Sequence, residues 1–397
     1  MTSRILVLNG GSSSLKFAVY EGRSEPDLLL KGSVANLASH PRLKAQAEGQ
    51  IVHERDFAAP LSLTEAGEAV FGLLEEQDLA AGIEVVGHRI VHGGQRFVAP
   101  ARLDAAALEY LRRLVPLAPL HQPFNLDLVE MAAGKLPNTV QVGCFDTAFH
   151  ANRPHVDRLY GLPRQLSADG ILAYGFHGLS YAHTARVLKE RDGMRAGGRV
   201  IVAHLGSGAS LCAMAAGQSV ATTMGFSALD GLVMGTRCGS IDPGVILHLL
   251  TDRGMQPDQV TALLYQRAGL LGVSGLSGDM ATLLASSEPA AAQAVDLFIY
   301  RLGRAIGSLT AALGGLDTLV FTAGIGENAP LIRARTGEAA KWLGVVIDSE
   351  RNTRGETLIS ASGSRVEVLV IPADEERAVA EGAIACLEKG ERSQHGG

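Results

Sequence analysis

Two arginines stand beside glycines in this chain, Arg89 in VVGHRIVHGG and Arg237 in MGTRCGSIDPG. At such positions a planar guanidinium can reach a small anion with two parallel hydrogen bonds. Asp146 in VQVGCFDTAFH and Glu375 in IPADEE supply carboxylates of the kind that Mg²⁺-dependent phosphoryl transfer uses. His177 lies between Phe176 and Gly178. Turns rich in Gly and Ser follow apolar runs at Gly10 to Ser14, at Gly206 to Gly208 and at Gly324 to Asn328. Free backbone N–H groups in such turns cradle anions. Each feature alone has a plainer reading: an exposed Arg, a packed His, an acidic residue favoured by a helix dipole. Together they point to phosphate chemistry, because polar residues interrupt apolar strand ends repeatedly.

The first of these turns sits in Ile5 to Tyr20, ILVLNGGSSSLKFAVY. The apolar run Ile5–Leu8 predicts a buried strand, and the alternation of Leu15, Phe17 and Val19 with Lys16 and Ala18 predicts a second. Lys16 is then fixed opposite Leu15 and Phe17, near a turn that carries Ser12, Ser14 and, just before it, Asn9. The stretch is neither of two better-known phosphate motifs. A P-loop would need a second Gly where Leu15 stands, and a Rossmann turn must open a helix rather than a strand. A shift of 196 residues carries Ile5 onto Ile201, Gly10 onto Gly206, Ser14 onto Ser210 and Leu15 onto Leu211. Strand, turn and strand recur at about half the chain length, which predicts two like domains. Lys16 falls on Cys212, so the first copy alone carries the cation.

Strand patterns alternate with amphipathic helices, for example at Leu63–Gln77 and 288–313, which predicts an α/β architecture with a partly parallel sheet. LVFTAGIGEN reads as a strand entering a glycine turn, and the closing segment as a strand, Pro372 and a helix with Asp374 as N-cap. The chain has 397 residues, 47% of them hydrophobic and 19% charged, enough for a sizeable core and two to three domains. A net charge of −6 without a Lys/Arg block argues against nucleic-acid and membrane-surface partners. Four cysteines without paired spacing, no leader pattern and no long apolar run are read as a soluble cytoplasmic protein with reduced thiols.

VLNGGSSSLK, GHRIVHGG, PLHQP, FDTAFH, YGFHGLSY, HLGSGAS, MGTRCGSIDPG, FTAGIGEN and IPADEE follow one another along nearly the whole chain. This ordered set resembles the acetate kinases. The resemblance implies two duplicated actin-like (ribonuclease H-like) α/β domains around a nucleotide cleft. The first would span 1–150, completed by a C-terminal helix at 374–397, and the second 151–373. It implies reversible, direct in-line transfer of the ATP γ-phosphate to acetate, giving acetyl phosphate and ADP, with Mg²⁺ (or Mn²⁺ in its place) as cofactor and a homodimer as the working form. By motif, Asn9 and Glu375 resemble the metal-site residues. Lys16, Ser12, Ser14, His204, Leu205, Gly206, Ser207, Gly208, Asp279, Met280, Ala281, Gly324, Ile325, Gly326, Glu327 and Asn328 resemble the nucleotide contacts. Arg89 resembles the carboxylate binder, with Val91, Leu120 and Phe176 as the pocket for the methyl group. Asp146 resembles the essential acid, and His177 with Arg237 the transition-state stabilisers.

The chemistry is consistent with that set. Acetate is already a nucleophile at pH 7, since carboxylate pKa values lie near 4, so no strong base is required. The barrier lies in bringing anions together and in the charge spread over the transferred group. Four positions depart from the family pattern: Ser207 where Asn is frequent, Ala281 where Arg is common, Asp374 for Asn and Ala228 for Pro. Ala281 removes a cation from the base pocket, and Ala228 enlarges room for propionate. A propionate or butyrate kinase, an actin- or Hsp70-like ATPase and a sugar kinase are the competing readings. Arg89 and Arg237 would be superfluous for attack by water.

Overall fold

The computed structural model describes residues 3–11, 14–193 and 198–395. Ser12, a candidate phosphate contact, lies outside the described residues. In chain order the strands are β1 (Arg4–Gly10), β2 (Leu15–Glu21), β3 (Asp27–Ala35), β4 (Arg42–Ala47), β5 (Gln50–Asp56), β6 (Ile83–Ile90), β7 (Ala101–Arg102), β8 (Val140–Phe145), β9 (Arg199–Leu205), β10 (Ala209–Ala215), β11 (Gln218–Thr222), β12 (Thr318–Thr322) and β13 (Glu367–Val370). The helices are α1 (Leu63–Glu76), α2 (Ala105–Arg113), α3 (Gln122–Lys135), α4 (His155–Arg158), α5 (Arg164–Ala168), α6 (Gly178–Asp192), α7 (Pro243–Thr251), α8 (Pro257–Gln266), α9 (Gly269–Ser274), α10 (Met280–Ala285), α11 (Pro289–Leu313), α12 (Ala323–Asn328), α13 (Pro330–Ala339), α14 (Ser349–Arg354) and α15 (Glu375–His395). They form two compact units, Met1–Ala151 with Asp374–Gly397, and Asn152–Ala373.

The first unit is built on a sheet of order β5-β4-β3-β2-β1-β6-β8-β7. Ile5–Leu8 are buried on both faces because β1 is central, running antiparallel to β2 and parallel to β6. One face carries Leu6, Leu8, Leu15 and Phe17 into a core with Leu63, Ala66, Val70 and Leu74 of α1 and Leu128 and Ala132 of α3. The start of α1 is fixed by a capping box, Ser62 with Glu65. The other face is covered by α15, which approaches β6 closely. A Cβ on Gly87 would lie 2.8 Å from Val379, so only glycine allows that approach. The far edge strand, β5, is exposed and carries Glu54, Arg55 and Asp56, charges that discourage edge pairing.

The second unit has a five-stranded sheet of order β11-β10-β9-β12-β13. Its strand order and directions repeat those of β3-β2-β1-β6-β8: two antiparallel pairings, then two parallel ones. The α/β duplication expected from the sequence is therefore present in the topology. The register of the repeat differs from the 196-residue shift. Gly10 pairs with Leu15 across β1 and β2, and the shift would pair Gly206 with Leu211. Instead Leu205 pairs with Ala209, and Leu211 with Ala203. The turn in the second unit is one residue shorter, so no single shift superposes both strands of the hairpin. A second correction concerns GIGEN, which is not a glycine turn but the short helix α12, entered from β12 through Ala323 at φ 65°. Ala323 is one of few non-glycine residues in the left-handed region, a conformation held only where the surroundings dictate it.

His88 of β6 is 1% exposed and its Nε2 lies 2.7 Å from Gln141 Oε1. Burial pushes its pKa down from 6.5 to about 4, the Gln141 contact opposing this only in part. The unfolded chain therefore binds a proton that the folded unit refuses between those two values, and stability falls as pH falls through that window. At pH 5 the loss from His88 should be about 2 kcal/mol relative to pH 7. Urea unfolding of His88→Gln and the parent at both pH values checks this: the variant should lose about 2 kcal/mol less on acidification, and equal losses would contradict it.

Candidate active site

In the first unit three parallel strands end side by side, and each presents one polar residue there. Asn9 comes from the end of β1, Arg89 from the end of β6 and Asp146 from the residue after β8. Carboxyl ends of adjacent parallel strands are where α/β folds place ligands. The Arg89 guanidinium makes a bidentate pair with Asp146, Nε to Oδ1 at 3.1 Å and Nη2 to Oδ2 at 2.7 Å, with Asp146 almost fully buried. Nη1 donates to Asn9 Oδ1 at 3.3 Å. Asn9 Nδ2 in turn donates to Glu375 Oε2 at 3.0 Å and Glu376 Oε1 at 2.8 Å, in the first turn of α15. Asp374 starts that turn by accepting from the Arg377 N–H. Burial alone would lower the Arg89 pKa, but Asp146, then Glu375 and Glu376, outweigh it and hold the charge firmly. Burial pushes the Glu376 carboxyl up, with Lys16 opposing and Glu375 reinforcing. Lys16 itself is exposed on β2, directly across from Asn9. Glu376 was legible only as a helix-start residue, and its bond to Asn9 depends on the return of α15.

The loop after β6 begins at Val91, so HRIVHGG is only partly strand. Its N–H groups are satisfied by side chains of α3 and of the turn after β8: Val91 donates to Asn125 Oδ1, His92 to Gln122 Oε1 and Gly93 to Thr147 Oγ1. Asn125 Nδ2 also holds the Gly10 carbonyl, which ties the first turn to the same scaffold. PLHQP is not wholly loop, because α3 begins within it at Gln122. Leu120 is half-buried beside that start, and Val91 is buried. Phe176, the third member of the expected methyl pocket, belongs to the second unit, where it is buried. Ser14 lies in the first turn, where its carbonyl accepts from Gly11.

In the second unit His177 and Arg237 converge on one glycine. A Cβ built on Gly208 would lie 2.9 Å from Arg237 Nη2 and 3.2 Å from His177 Nε2. His177 is the N-cap of α6, in a left-handed conformation at φ 59°. Its ring stacks on His204 at 4.2 Å, and the loop before it is held by the Gly225 carbonyl, which accepts from Tyr174 and Gly175. Arg237 Nη1 donates to the Ala228 carbonyl at 2.7 Å. Gly208→Ala is expected to displace both donors and lower kcat about 10²-fold, the effect of an ångström-scale misplacement. Thermal unfolding and kcat measured together check it; wild-type turnover in a folded variant would show that the convergence is irrelevant.

Next in sequence to Gly208, Gly206 and Ser207 line a cavity of about 480 Å³. Its other walls are Asp279, Met280, Ala281 and Leu284 of α10 and its cap, and Gly324, Ile325, Asn328 and the following Ala329, Pro330 and Leu331. The volume is that of a small-molecule site. Asp279 caps α10 by accepting from Thr282, whose N–H is the main cause of its lowered pKa. Leu205 and Gly326 are buried and are not among its walls, and Glu327 Oε1 accepts from the Ala373 N–H at 2.9 Å. Buried Arg333 holds the end of α12, donating to the carbonyls of Gly326 and Glu327 and to Asn352. Neither Arg333 nor the α13 residues of the cavity wall stood out in the sequence, because an Arg in a helical pattern looks like a surface residue. Among the described residues no group of three or more His, Cys, Asp or Glu side chains is arranged to hold a metal ion, and no helix is long and apolar enough to cross a membrane.

The sequence profile of the Acetokinase family matches residues 4–381. The acetate kinase of Rhodopseudomonas palustris (strain TIE-1) is 47% identical over 96% of this chain and 97% of its own, and that of Nitrobacter hamburgensis is 48% identical over 96% of each. Among solved structures, a propionate kinase from Francisella tularensis superposes with a TM-score of 0.88 at 34% identity, covering 96% of this chain and 98% of its own. The acetate kinase of Porphyromonas gingivalis does so with a TM-score of 0.84 at 34% identity, covering 97% and 100%. On these matches the chain belongs to the acetokinase family.

Proposed function

We propose that the chain catalyses reversible transfer of the ATP γ-phosphoryl group to acetate, giving acetyl phosphate and ADP. Beyond family membership, the observation that supports this best is the convergence of Arg237 and His177 on Gly208, beside the cavity lined by Gly206 and Ser207. That cavity takes the nucleotide, with Asp279–Ala281, Gly324, Ile325 and Asn328 among its walls. Arg237 and His177 donate to the oxygens of the transferred group, where preorganised donors act most strongly. Arg89 binds the acetate carboxylate, Asp146 fixes its guanidinium, Val91 and Leu120 are the apolar neighbours for the methyl group, Lys16 offsets phosphate charge and Ser14 donates to a phosphate oxygen. The units Met1–Ala151 with Asp374–Gly397, and Asn152–Ala373, are the two domains of the reaction cycle.

A divalent metal suits the oxygen donors at Asn9, Glu375 and Glu376, since Mg²⁺ is usually held by one or two carboxylates together with substrate phosphates. Bound there, the ion would neutralise charge between the β- and γ-phosphates. The working form is a cytoplasmic homodimer. Helix α7 supports a second copy as partner: it carries Val245, Ile246, Leu247, Leu249 and Leu250 and buries none of them within its own chain.

A second acceptor, propionate, is favoured by the small Ala228 beside Arg237 and by the propionate kinase among the structural relatives. One added methylene changes discrimination by only about 1–3 kcal/mol. Trapping of acyl phosphate as hydroxamate, with acetate, propionate, butyrate and water offered in turn, decides the reading. Acetate or propionate should give hydroxamate with ADP in equal amount. ATP hydrolysis independent of any carboxylate would overturn the proposal in favour of an ATPase.

A further inference from the structure

Behind the His177 ring lies a pair of hydroxyls that the reaction chemistry does not itself require. His177 Nδ1 is 2.8 Å from Ser210 Oγ, and the Tyr181 hydroxyl is hydrogen-bonded to the same oxygen. Ser210 and Tyr181 are both fully buried, on β10 and α6, so the chain from phenol to hydroxyl to imidazole is shielded from water. The opposite ring nitrogen, Nε2, is the one that faces Gly208 and Arg237. Stacking on His204, itself held by Ser180 through Nδ1 at 2.8 Å, fixes the ring plane.

We propose that Tyr181 and Ser210 are positioning residues that hold His177 as the Nε2-protonated tautomer, with that N–H aimed at the Gly208 turn. The relay is taken to run from phenol to hydroxyl to imidazole, with Ser210 Oγ bonded to both of its neighbours. Burial pushes the Tyr181 phenol far above its ordinary pKa, Cys212 adding to this and Ser210 opposing it, so the phenol keeps a proton to offer to Ser210 Oγ. Ser210 then spends its single proton on His177 Nδ1, whose lone pair accepts it. The ring proton is left on Nε2, where a donor to a phosphoryl oxygen is needed. The catalytic meaning of this tautomer rests on the kinase reading above; the tautomer itself does not. The partner of a histidine's far nitrogen generally sets which nitrogen carries the proton.

Protein labelled with ¹⁵N-histidine reports the tautomer by two-bond ¹H–¹⁵N correlations, with His177 assigned by the signals missing in His177→Gln. The expected result is a proton on Nε2 in the parent chain. Tyr181→Phe, which keeps the packed ring, and Ser210→Ala should both shift population toward the Nδ1-protonated form. Both should lower kcat about 10²-fold, the scale of one proton donor, with KM for acetate and ATP changed less than about twofold. Ser210→Thr should restore the parent tautomer. A purely structural role would lower stability and leave the tautomer unaltered. A proton on Nδ1 in the parent, or an unchanged tautomer in either hydroxyl-deleting variant, overturns the proposal. An Nε2 proton in a chain that makes no acyl phosphate overturns the kinase reading and leaves the relay standing.

Discussion

Arg237→Ala is expected to lose about 10²–10³ of kcat while binding nucleotide nearly as well as the parent chain. The guanidinium is not a wall of the 480 Å³ cavity, so its removal leaves that surface intact. What disappears is a donor already in place: Nη1 is anchored on the Ala228 carbonyl and Nη2 reaches toward Gly208. Such a donor needs no reorganisation as charge develops on the transferred group, and water entering the gap cannot reproduce that. Arg237→Lys should recover only a small part of the rate. A single ammonium cannot both hold the Ala228 carbonyl and present a second N–H in the same plane. Steady-state kinetics beside fluorescence titration of nucleotide check this, and turnover near the parent value in Arg237→Ala would remove Arg237 from the reaction.

That pair of residues illustrates how much was legible in the sequence. Arg237 and His177 could be picked out because each interrupts a glycine-rich loop, and the motif order supplied their kinship. Their meeting at Gly208 could not, since it depends on three loops separated by tens of residues. The duplicated α/β topology was readable from a single hairpin echo, but its register was not. Ile5–Leu8 and Val200–Ala203 are buried on both faces, so burial gives no phase to the repeat. The glycines of GIGEN suggest a turn, whereas Thr322 and the left-handed Ala323 open a helix there and buried Arg333 holds its far end. Glu376 was hidden by its neighbour. Two adjacent acids at a helix start are explained by the dipole alone, until Asn9 is found bonded to both.

Arg89→Ala should damage both stability and activity, by about 3–5 kcal/mol in unfolding free energy and by a large rise in KM for acetate. Asp146 is 2% exposed and loses its bidentate guanidinium, so the variant must bury the carboxylate without that cation or protonate it. Asn9 simultaneously loses the donor that orders its amide against Glu375 and Glu376. The double variant Arg89→Ala/Asp146→Asn separates the two effects. Removing the stranded charge should return much of the stability, because a neutral amide is far less costly to bury, while acetate binding remains lost. Urea denaturation and acetate saturation curves of both variants give the comparison. Recovery of acetate KM in the double variant would mean that Arg89 serves only to neutralise Asp146.

The return of α15 to the first unit has a consequence for how the polypeptide is made. A ribosome delivers Met1–Ala151 long before Glu375–His395, so β1, β6 and β8 emerge without the helix that covers one of their faces. Asn152–Ala373 is contiguous and can complete its own sheet as soon as it leaves the exit tunnel. The nascent first half must therefore wait, with Gly87 awaiting Val379 and Ala383, while its neighbour folds ahead of it. A circular permutant opened just before Glu375, with α15 placed ahead of β1, would reverse that order and give the first half its cover at birth.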